Sequence, residues 1–132
     1  MAAFSDYLEN KVLDHLFGNT PFATPNTIYF ALFTTAPSDA GGGVEVSGNG
    51  YARAAIQNTD ANWSPAASGQ KRNSVVLAFP EASGSWGTVI AIGIFDAATG
   101  GNLLLHSTIN SRTVVAGDVP RFAVNGISVA LN

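Results

Sequence analysis

Residues 88–109 read TVIAIGIFDAATGGNLLLHSTI, and this stretch indicates the fold more directly than any other part of the chain. It contains two apolar runs, Thr88 to Phe95 and Asn102 to Ile109, that are joined by Asp96-Ala-Ala-Thr-Gly-Gly. The carboxylate of Asp96 can accept a hydrogen bond from the backbone that follows it, and the two glycines can adopt positive φ angles. The sequence therefore predicts a β-hairpin.

Similar runs of apolar and β-branched residues recur on both sides of this hairpin, separated by Gly, Pro and Asn. We predict further strands at 27–35, 51–58, 74–79, 121–124 and 127–131, with a short one at 113–115. The first of these is expected to be buried on both faces. Between the last two, Asn125-Gly126 predicts a hairpin with a type I′ turn. The polar segment 59–73 is interpreted as a long loop. Short strands separated by turns predict a mainly β fold, either an antiparallel β-sandwich or a jelly-roll-like barrel.

One N-terminal α-helix is predicted, over residues 5–17. Ser5 can cap its first turn, because the hydroxyl can accept a hydrogen bond from a free backbone N–H group. Gly18 is expected to end it as the C′ residue. Its apolar residues recur at helical spacing and form one stripe: Leu8, Val12 and Leu16, with Leu13 and Phe17 beside them. We expect a single domain over residues 1–132, with the β-sandwich occupying 27–132.

The composition excludes several classes of function. Charged residues are only 11% of the 132 residues, against roughly 25% in average soluble proteins. A net charge of −3 argues against nucleic-acid binding, which needs clustered Lys and Arg. The chain has no cysteine, so disulfides and thiolate metal sites are excluded. No apolar run approaches the roughly 18 residues of a membrane helix, and we expect no membrane partner.

Candidate catalytic and metal-binding residues are few. The two histidines, His15 and His106, have no His or Cys neighbour at metal-ligand spacing. The carboxylates lie mostly in predicted turns, where turn formation accounts for them. Neither glycine-rich segment, 41–43 or 48–50, has the Lys and Ser/Thr of a phosphate-binding loop. We therefore expect a protein that is not an enzyme, with no catalytic residue, no metal site and no cofactor.

The residues that remain as candidates are suited to contacts between proteins. Trp63 and Trp86 lie in or beside loops, where each either plugs an end of the sandwich or anchors an interface. The helix stripe is a second candidate surface. Arg53 alternates with apolar residues, so it faces water or pairs with a carboxylate, and a role in binding a ligand is a further alternative. The candidate interface residues are Leu8, Val12, Leu16, Trp63 and Trp86.

Four segments together resemble a family of small structural proteins of tailed bacteriophages. They are the helix 5–18, the segment 27–37, the glycine-rich segment 41–53 that ends in Gly-Tyr-Ala-Arg, and 87–104, which contains Gly-Ile-Phe-Asp-Ala. The resemblance runs over nearly the whole chain. Members are usually described as tail fibre, minor tail or virion proteins, and the resemblance implies no catalytic residue for this chain.

The resemblance implies a virion component that assembles in the cytoplasm of the host bacterium. Our leading hypothesis is a capsid decoration (cement) protein, expected as a homo-oligomer, with a trimer favoured. Its partners would be the major capsid protein or other virion proteins. The alternative is a tail-fibre or baseplate module that binds a host surface glycan, with Trp63, Trp86 and the polar segment 60–73 as the binding edge.

Overall fold

Ten β-strands and one α-helix occur within residues 3–131, the part of the chain that the computed structural model describes. Residues 1, 2 and 132, at the two ends of the predicted domain, lie outside it. The helix, α1, spans Asp6–Gly18. The strands are, in chain order, β1 Ala3–Phe4, β2 Thr27–Thr35, β3 Val44–Glu45, β4 Ala54–Gln57, β5 Gln70–Arg72, β6 Leu77–Ala78, β7 Gly87–Phe95, β8 Leu103–Val114, β9 Arg121–Phe122 and β10 Ser128–Ala130.

A six-stranded antiparallel sheet forms the larger layer, in the order β1-β8-β7-β2-β3, with β4 pairing another part of β2. The predicted hairpin is its centre, because β7 and β8 pair along most of their length. The carboxylate of Asp96 accepts a hydrogen bond from the backbone N–H of Asn102 at 2.8 Å. Gly100 and Gly101 have φ angles of 59° and 74°. The hydrogen bond to Asp96 and the positive φ angles of the two glycines, both predicted for this turn, are therefore present.

Strand β2 is buried on both faces, as its aromatic and β-branched sequence predicts. Phe30 and Leu32 point into the main core, whereas Ala31 and Phe33 pack into a smaller cluster on the opposite face. The ring of Phe33 stacks on that of Phe95, with the ring centroids 6.2 Å apart.

Two short ribbons, β5–β10 and β6–β9, complete the fold. Leu77 of β6, with Phe79 just after that strand and Ile127 just before β10, belongs to the same buried cluster as the apolar residues of β2 and β7. The arrangement is sandwich-like. The strands of the described residues form no closed barrel, so the sandwich is the correct one of the two predicted architectures.

The strand boundaries differ from the sequence prediction in the middle of the chain. Strand β4 covers only part of the predicted strand 51–58, and β6 only part of 74–79. The predicted loop 59–73 contains a 3-10 turn and β5. The separate strand predicted at 113–115 is the end of the long strand β8.

The hairpin predicted at Asn125-Gly126 is wrong. Strands β9 and β10 pair with β6 and β5 and not with each other. The turn lies one residue earlier, because the N–H of Gly126 bonds to the carbonyl oxygen of Ala123 at 2.9 Å. Asn125 then occupies its third position with a φ of 63°, as a type II turn requires.

The buried side chain of Asn73 explains this turn. Its amide nitrogen donates to the carbonyl oxygens of Val75 and Ala123, both at 2.9 Å. Its amide oxygen accepts from the N–H of Ile127 at 2.8 Å, and its backbone oxygen accepts from the N–H of Asn125 at 2.9 Å. Asn73 therefore binds the N–H groups of Asn125 and Ile127 and the carbonyl oxygen of Ala123, and fixes the chain between β9 and β10 in this turn.

Ser5 begins helix α1 as predicted. Its hydroxyl accepts a hydrogen bond from the N–H of Leu8 at 3.2 Å and donates one to the carbonyl oxygen of Leu103 in β8. The helix end differs from the prediction. Asn19, and not Gly18, takes the left-handed conformation that closes the helix, with a φ of 52°.

We expect Asn73→Ala to lower the free energy of unfolding by about 2–4 kcal/mol, because it leaves the N–H of Ile127 and two carbonyl oxygens without partners in the core. Urea denaturation followed by tryptophan fluorescence measures this change. The exposed Asn110 is the matched control, and Asn110→Ala is expected to change stability by less than about 0.5 kcal/mol. Equal stabilities of the two variants would contradict the role of Asn73.

Candidate functional site

Arg53 pairs with a carboxylate, which is one of the alternatives that its sequence position leaves open. Its Nη2 lies 2.8 Å from Oε1 of Glu45, and its Nε donates to Oε2 at 2.9 Å. The pair is bidentate, the geometry in which a guanidinium binds a carboxylate most strongly. The Arg53 side chain is only 6% exposed.

The same guanidinium holds the turn between β7 and β8. Its Nη1 donates to the carbonyl oxygens of Ala97 and Gly100, at 2.8 and 2.9 Å. Its central carbon lies 3.8 Å from the centroid of the Phe95 ring, a close cation–π contact. The Gly-Tyr-Ala-Arg and Gly-Ile-Phe-Asp-Ala segments therefore meet at one side chain.

Tyr51 connects this group to the central sheet. Its hydroxyl donates to Oε2 of Glu45 at 2.7 Å and accepts from the N–H of Leu32 at 3.1 Å. Leu32 lies where the edge of β2 passes from β4 to β3, so the phenol takes the place of a strand partner there. The Tyr51 ring also packs edge-to-face on Trp86, with the ring centroids 5.3 Å apart.

The environment shifts the acid–base equilibria of Glu45 and Tyr51. Burial alone would raise the pKa of Glu45, but the hydrogen bonds from Arg53 and Tyr51, with the Arg53 charge, hold that pKa below its ordinary value of 4.5. Burial and the hydrogen bond to Glu45 raise the pKa of Tyr51. At neutral pH Glu45 is therefore ionised and Tyr51 is protonated.

A cleft of about 580 Å³ lies beside this group, between the start of α1, the glycine-rich segment and the β7–β8 turn. Arg53 and Glu45 satisfy each other at its wall, and this arrangement supports the fold rather than presenting a reactive group. Asp39 lines the cleft and lies 2.8 Å from Nε2 of His106. His15 is not among the residues that line this cleft. Its Nδ1 lies 3.1 Å from the carbonyl oxygen of Thr20, just beyond the end of α1. Among the residues that the structure describes, no three His, Asp or Glu side chains form a group suited to a metal ion.

A second concavity, of about 570 Å³, is lined by Trp63 and is here called the Trp63 groove. Its floor is mostly aliphatic and combines residues of the large sheet with residues of β10 and the chain beyond it: Ile28, Ile94, Leu104, Leu105, Val129 and Leu131. Polar residues of the predicted loop 59–73 form part of its wall, among them Asp60, Gln70 and Lys71. The Trp63 ring is half-buried and stacks on Phe30 at 6.3 Å. Its Nε1 is buried without a hydrogen-bond partner among residues 3–131.

The predicted interface residues do not form one surface. Leu8 is buried in the core, Val12 packs against it, and Leu16 is 66% exposed. Trp86 is only 5% exposed and its Nε1 donates to the carbonyl oxygen of Asn49 at 2.9 Å, so it fills the core of this chain. Trp63 lines the groove and is the only one of the two tryptophans among the residues that line it.

The second half of α1 carries an exposed apolar surface that overlaps only in part with the apolar stripe predicted from the sequence. Leu13, Leu16 and Phe17 are 54%, 66% and 84% exposed. The predicted stripe is centred on Leu8, Val12 and Leu16. It therefore combines two residues that pack on the core with one that is exposed. The spacing 13, 16, 17 was the available signal, since positions i, i+3 and i+4 of a helix lie on one face.

The sequence matches a family model over residues 3–130, nearly the whole chain, and that family is described as podophage GP4 fiber I protein gp80. The chain belongs to this family. A comparison with curated proteins gave no match.

Membership in the gp80 family makes the chain a phage structural protein of the fibre type, which confirms the resemblance to virion proteins of tailed phages. The two most specific motifs of that resemblance are the segments that Arg53 joins. They act in this gp80-family chain as determinants of the fold. No helix within residues 3–131 is long and apolar enough to cross a membrane.

We expect the stability of the protein to fall on acidification through the ionisation of Glu45. Its pKa is lower in the folded than in the unfolded chain, so its contribution is fully present above about pH 4.5 and is lost as the pH falls through the folded-state pKa. Urea denaturation between pH 3 and pH 7, a range set by that linkage, should show a smaller loss for Glu45→Gln than for the wild type. Glu81→Gln, at an exposed carboxylate, is the control and should follow the wild type.

Trp63→Phe is expected to change the free energy of unfolding by less than about 1 kcal/mol, because it keeps the ring contact with Phe30 and removes a buried donor that has no partner among residues 3–131. Trp63→Ala removes the ring and is expected to cost about 2 kcal/mol or more. Thermal and urea unfolding distinguish the two variants. A large loss in Trp63→Phe would mean that the indole nitrogen has a partner in solution.

Proposed function

We propose that this chain is a non-enzymatic structural component of a phage fibre, held in the virion by contacts with copies of itself and with other virion proteins. The observation that carries the proposal is the family match over residues 3–130. The family is described as a fiber protein, so we propose a position in the fibre in place of the capsid position of our leading sequence hypothesis.

The chemistry of the two concavities supports a role without catalysis. In the cleft beside Arg53, the ion pair with Glu45 and the bonds to the hairpin turn occupy the guanidinium. The Trp63 groove has an aliphatic floor, which suits apolar side chains better than a polar substrate. The binding of a host surface glycan, which is the alternative hypothesis for a tail-fibre module, stays a prediction.

The surface supports assembly. Large apolar side chains stay exposed on α1 and on several loops, although few charges are available to give specific contacts. Exposed apolar residues that lie together mark interaction sites more often than isolated ones do. With a net charge of −3, the proposed partners are proteins and include neither nucleic acid nor membrane.

The copy number and position of the protein in purified virions test this proposal. Quantitative mass spectrometry against the major capsid protein is expected to give far fewer copies than the capsid subunits. Gold-labelled antibodies should mark the fibres in electron micrographs, and particles from a phage that lacks the gene are the control. Hundreds of copies with label on the shell would contradict the fibre and support capsid decoration, while absence from the particle would overturn both.

A further inference from the structure

The exposed residues of α1 form a short apolar ridge. We call Leu13, Leu16 and Phe17 the helix ridge; they occupy positions i, i+3 and i+4, and the helix around them is exposed from Leu13 to its end. An amphipathic helix that docks into a groove uses this spacing for its anchoring side chains. The body of the chain covers only the first half of the helix, through Leu8 and Val12.

The Trp63 groove has the features that such a ridge needs. Its volume of about 570 Å³ lies within the roughly 300–1,000 Å³ of protein sites that enclose drug-sized ligands, so it can admit several large side chains. Its floor is aliphatic, and Trp63 adds an aromatic wall. A convex apolar ridge and a concave apolar groove are thus present on the same molecule.

The two surfaces carry one pair of opposite charges that can meet, Glu9 on the helix and Lys71 in the groove wall, which also contains Asp60. Glu9 lies one helical turn before Leu13, on the same side of α1 as the helix ridge, and is exposed. Lys71 lies in the wall of the Trp63 groove. The ion pairs found within residues 3–131 join Arg53 to Glu45 and His106 to Asp39, so Glu9 and Lys71 have no ionic partner among those residues.

We propose that the helix ridge of one copy docks into the Trp63 groove of a second copy of this chain, with Glu9 beside Lys71 across the interface. A reciprocal exchange gives a closed pair, whereas a one-way contact gives a ring or a line of subunits. The inference goes beyond the proposed fibre role, since it states how copies join. The ridge of each copy is exposed in its own chain, so a second copy can bury it without unfolding the first.

Sedimentation equilibrium of the purified full-length chain tests the apolar part of this contact. The wild type is expected to self-associate, and Phe17→Ala to weaken the association constant at least about tenfold. Because Phe17 is largely exposed in the single chain, the variant should keep the wild-type unfolding temperature at a protein concentration low enough for both to be monomeric. Val76→Ala is the matched control, since Val76 is as exposed as Leu13 and lies on neither surface, and it should associate like the wild type.

A charge exchange tests the pairing of the two surfaces. Glu9→Lys alone and Lys71→Glu alone are each expected to weaken self-association, and the double variant to restore most of it. Restoration depends on the two side chains meeting, so it separates this interface from a general effect of charge or folding. Equal loss in the double variant would overturn the proposed contact.

Two further results would overturn the inference. One is a wild-type chain that stays monomeric at the highest soluble concentration. The other is the binding of a saccharide in the Trp63 groove, combined with self-association that Phe17→Ala does not weaken. Changes in the NMR signals of groove residues on addition of host polysaccharide would reveal that binding. A protein found on virion fibres but monomeric when purified would refute this inference alone, and a protein absent from virions that still associates as described would refute only the proposed function.

Discussion

Arg53, held in a bidentate pair with Glu45, joins segments that are far apart in sequence, because its guanidinium also binds the turn between β7 and β8. Glu45 belongs to β3 at one edge of the large sheet, and Arg53 precedes β4 and reaches the turn between β7 and β8. Tyr51 extends the group to the backbone of Leu32 in β2. A buried ion pair adds little net stability compared with apolar packing, but removing one partner is costly because the other charge stays buried. The pair therefore matters most for register: it permits one placement of the hairpin turn against the edge of the sheet.

The regular part of the fold could be predicted because its strands and turns depend on local sequence patterns. Thr27–Thr35 and the stretch 88–109 carry dense apolar patterns, and each lies in a strand of the central sheet. The capping bond of Ser5 and the turn bond of Asp96 reach backbone groups only a few residues away, so these two roles follow from local sequence. The second layer depends instead on Asn73, whose amide binds Ala123 and Ile127 about fifty residues later. Nothing in the neighbourhood of Asn125-Gly126 reveals that distant amide, and the local turn signal was therefore misleading.

The candidate surfaces show a similar division. Helical periodicity correctly indicates an apolar stripe on α1, but periodicity alone does not say where the underlying sheet stops, and that boundary separates Leu8 and Val12 from Leu16. Trp63 and Trp86 have the same loop context in the sequence. The structure separates them because Trp86 finds a hydrogen-bond acceptor and the Tyr51 ring inside the core, whereas Trp63 lies at the wall of a groove. Such differences arise from tertiary packing and have no local sequence signature.

The two ribbons of the second layer also set the order in which the chain can fold during synthesis. Both contain one strand from 70–78 and one from 121–130, and they help to bury Phe30 and Ile92 of the large sheet. Contacts this distant in sequence form slowly, because a long loop must close before they stabilise anything. Until residues 121–130 have left the ribosome, the ribbons cannot form and part of one apolar face of the central sheet stays uncovered. Chaperones and neighbouring nascent copies then compete with the ribbons for that face, so the yield of folded protein depends on how quickly residues 121–130 are synthesised.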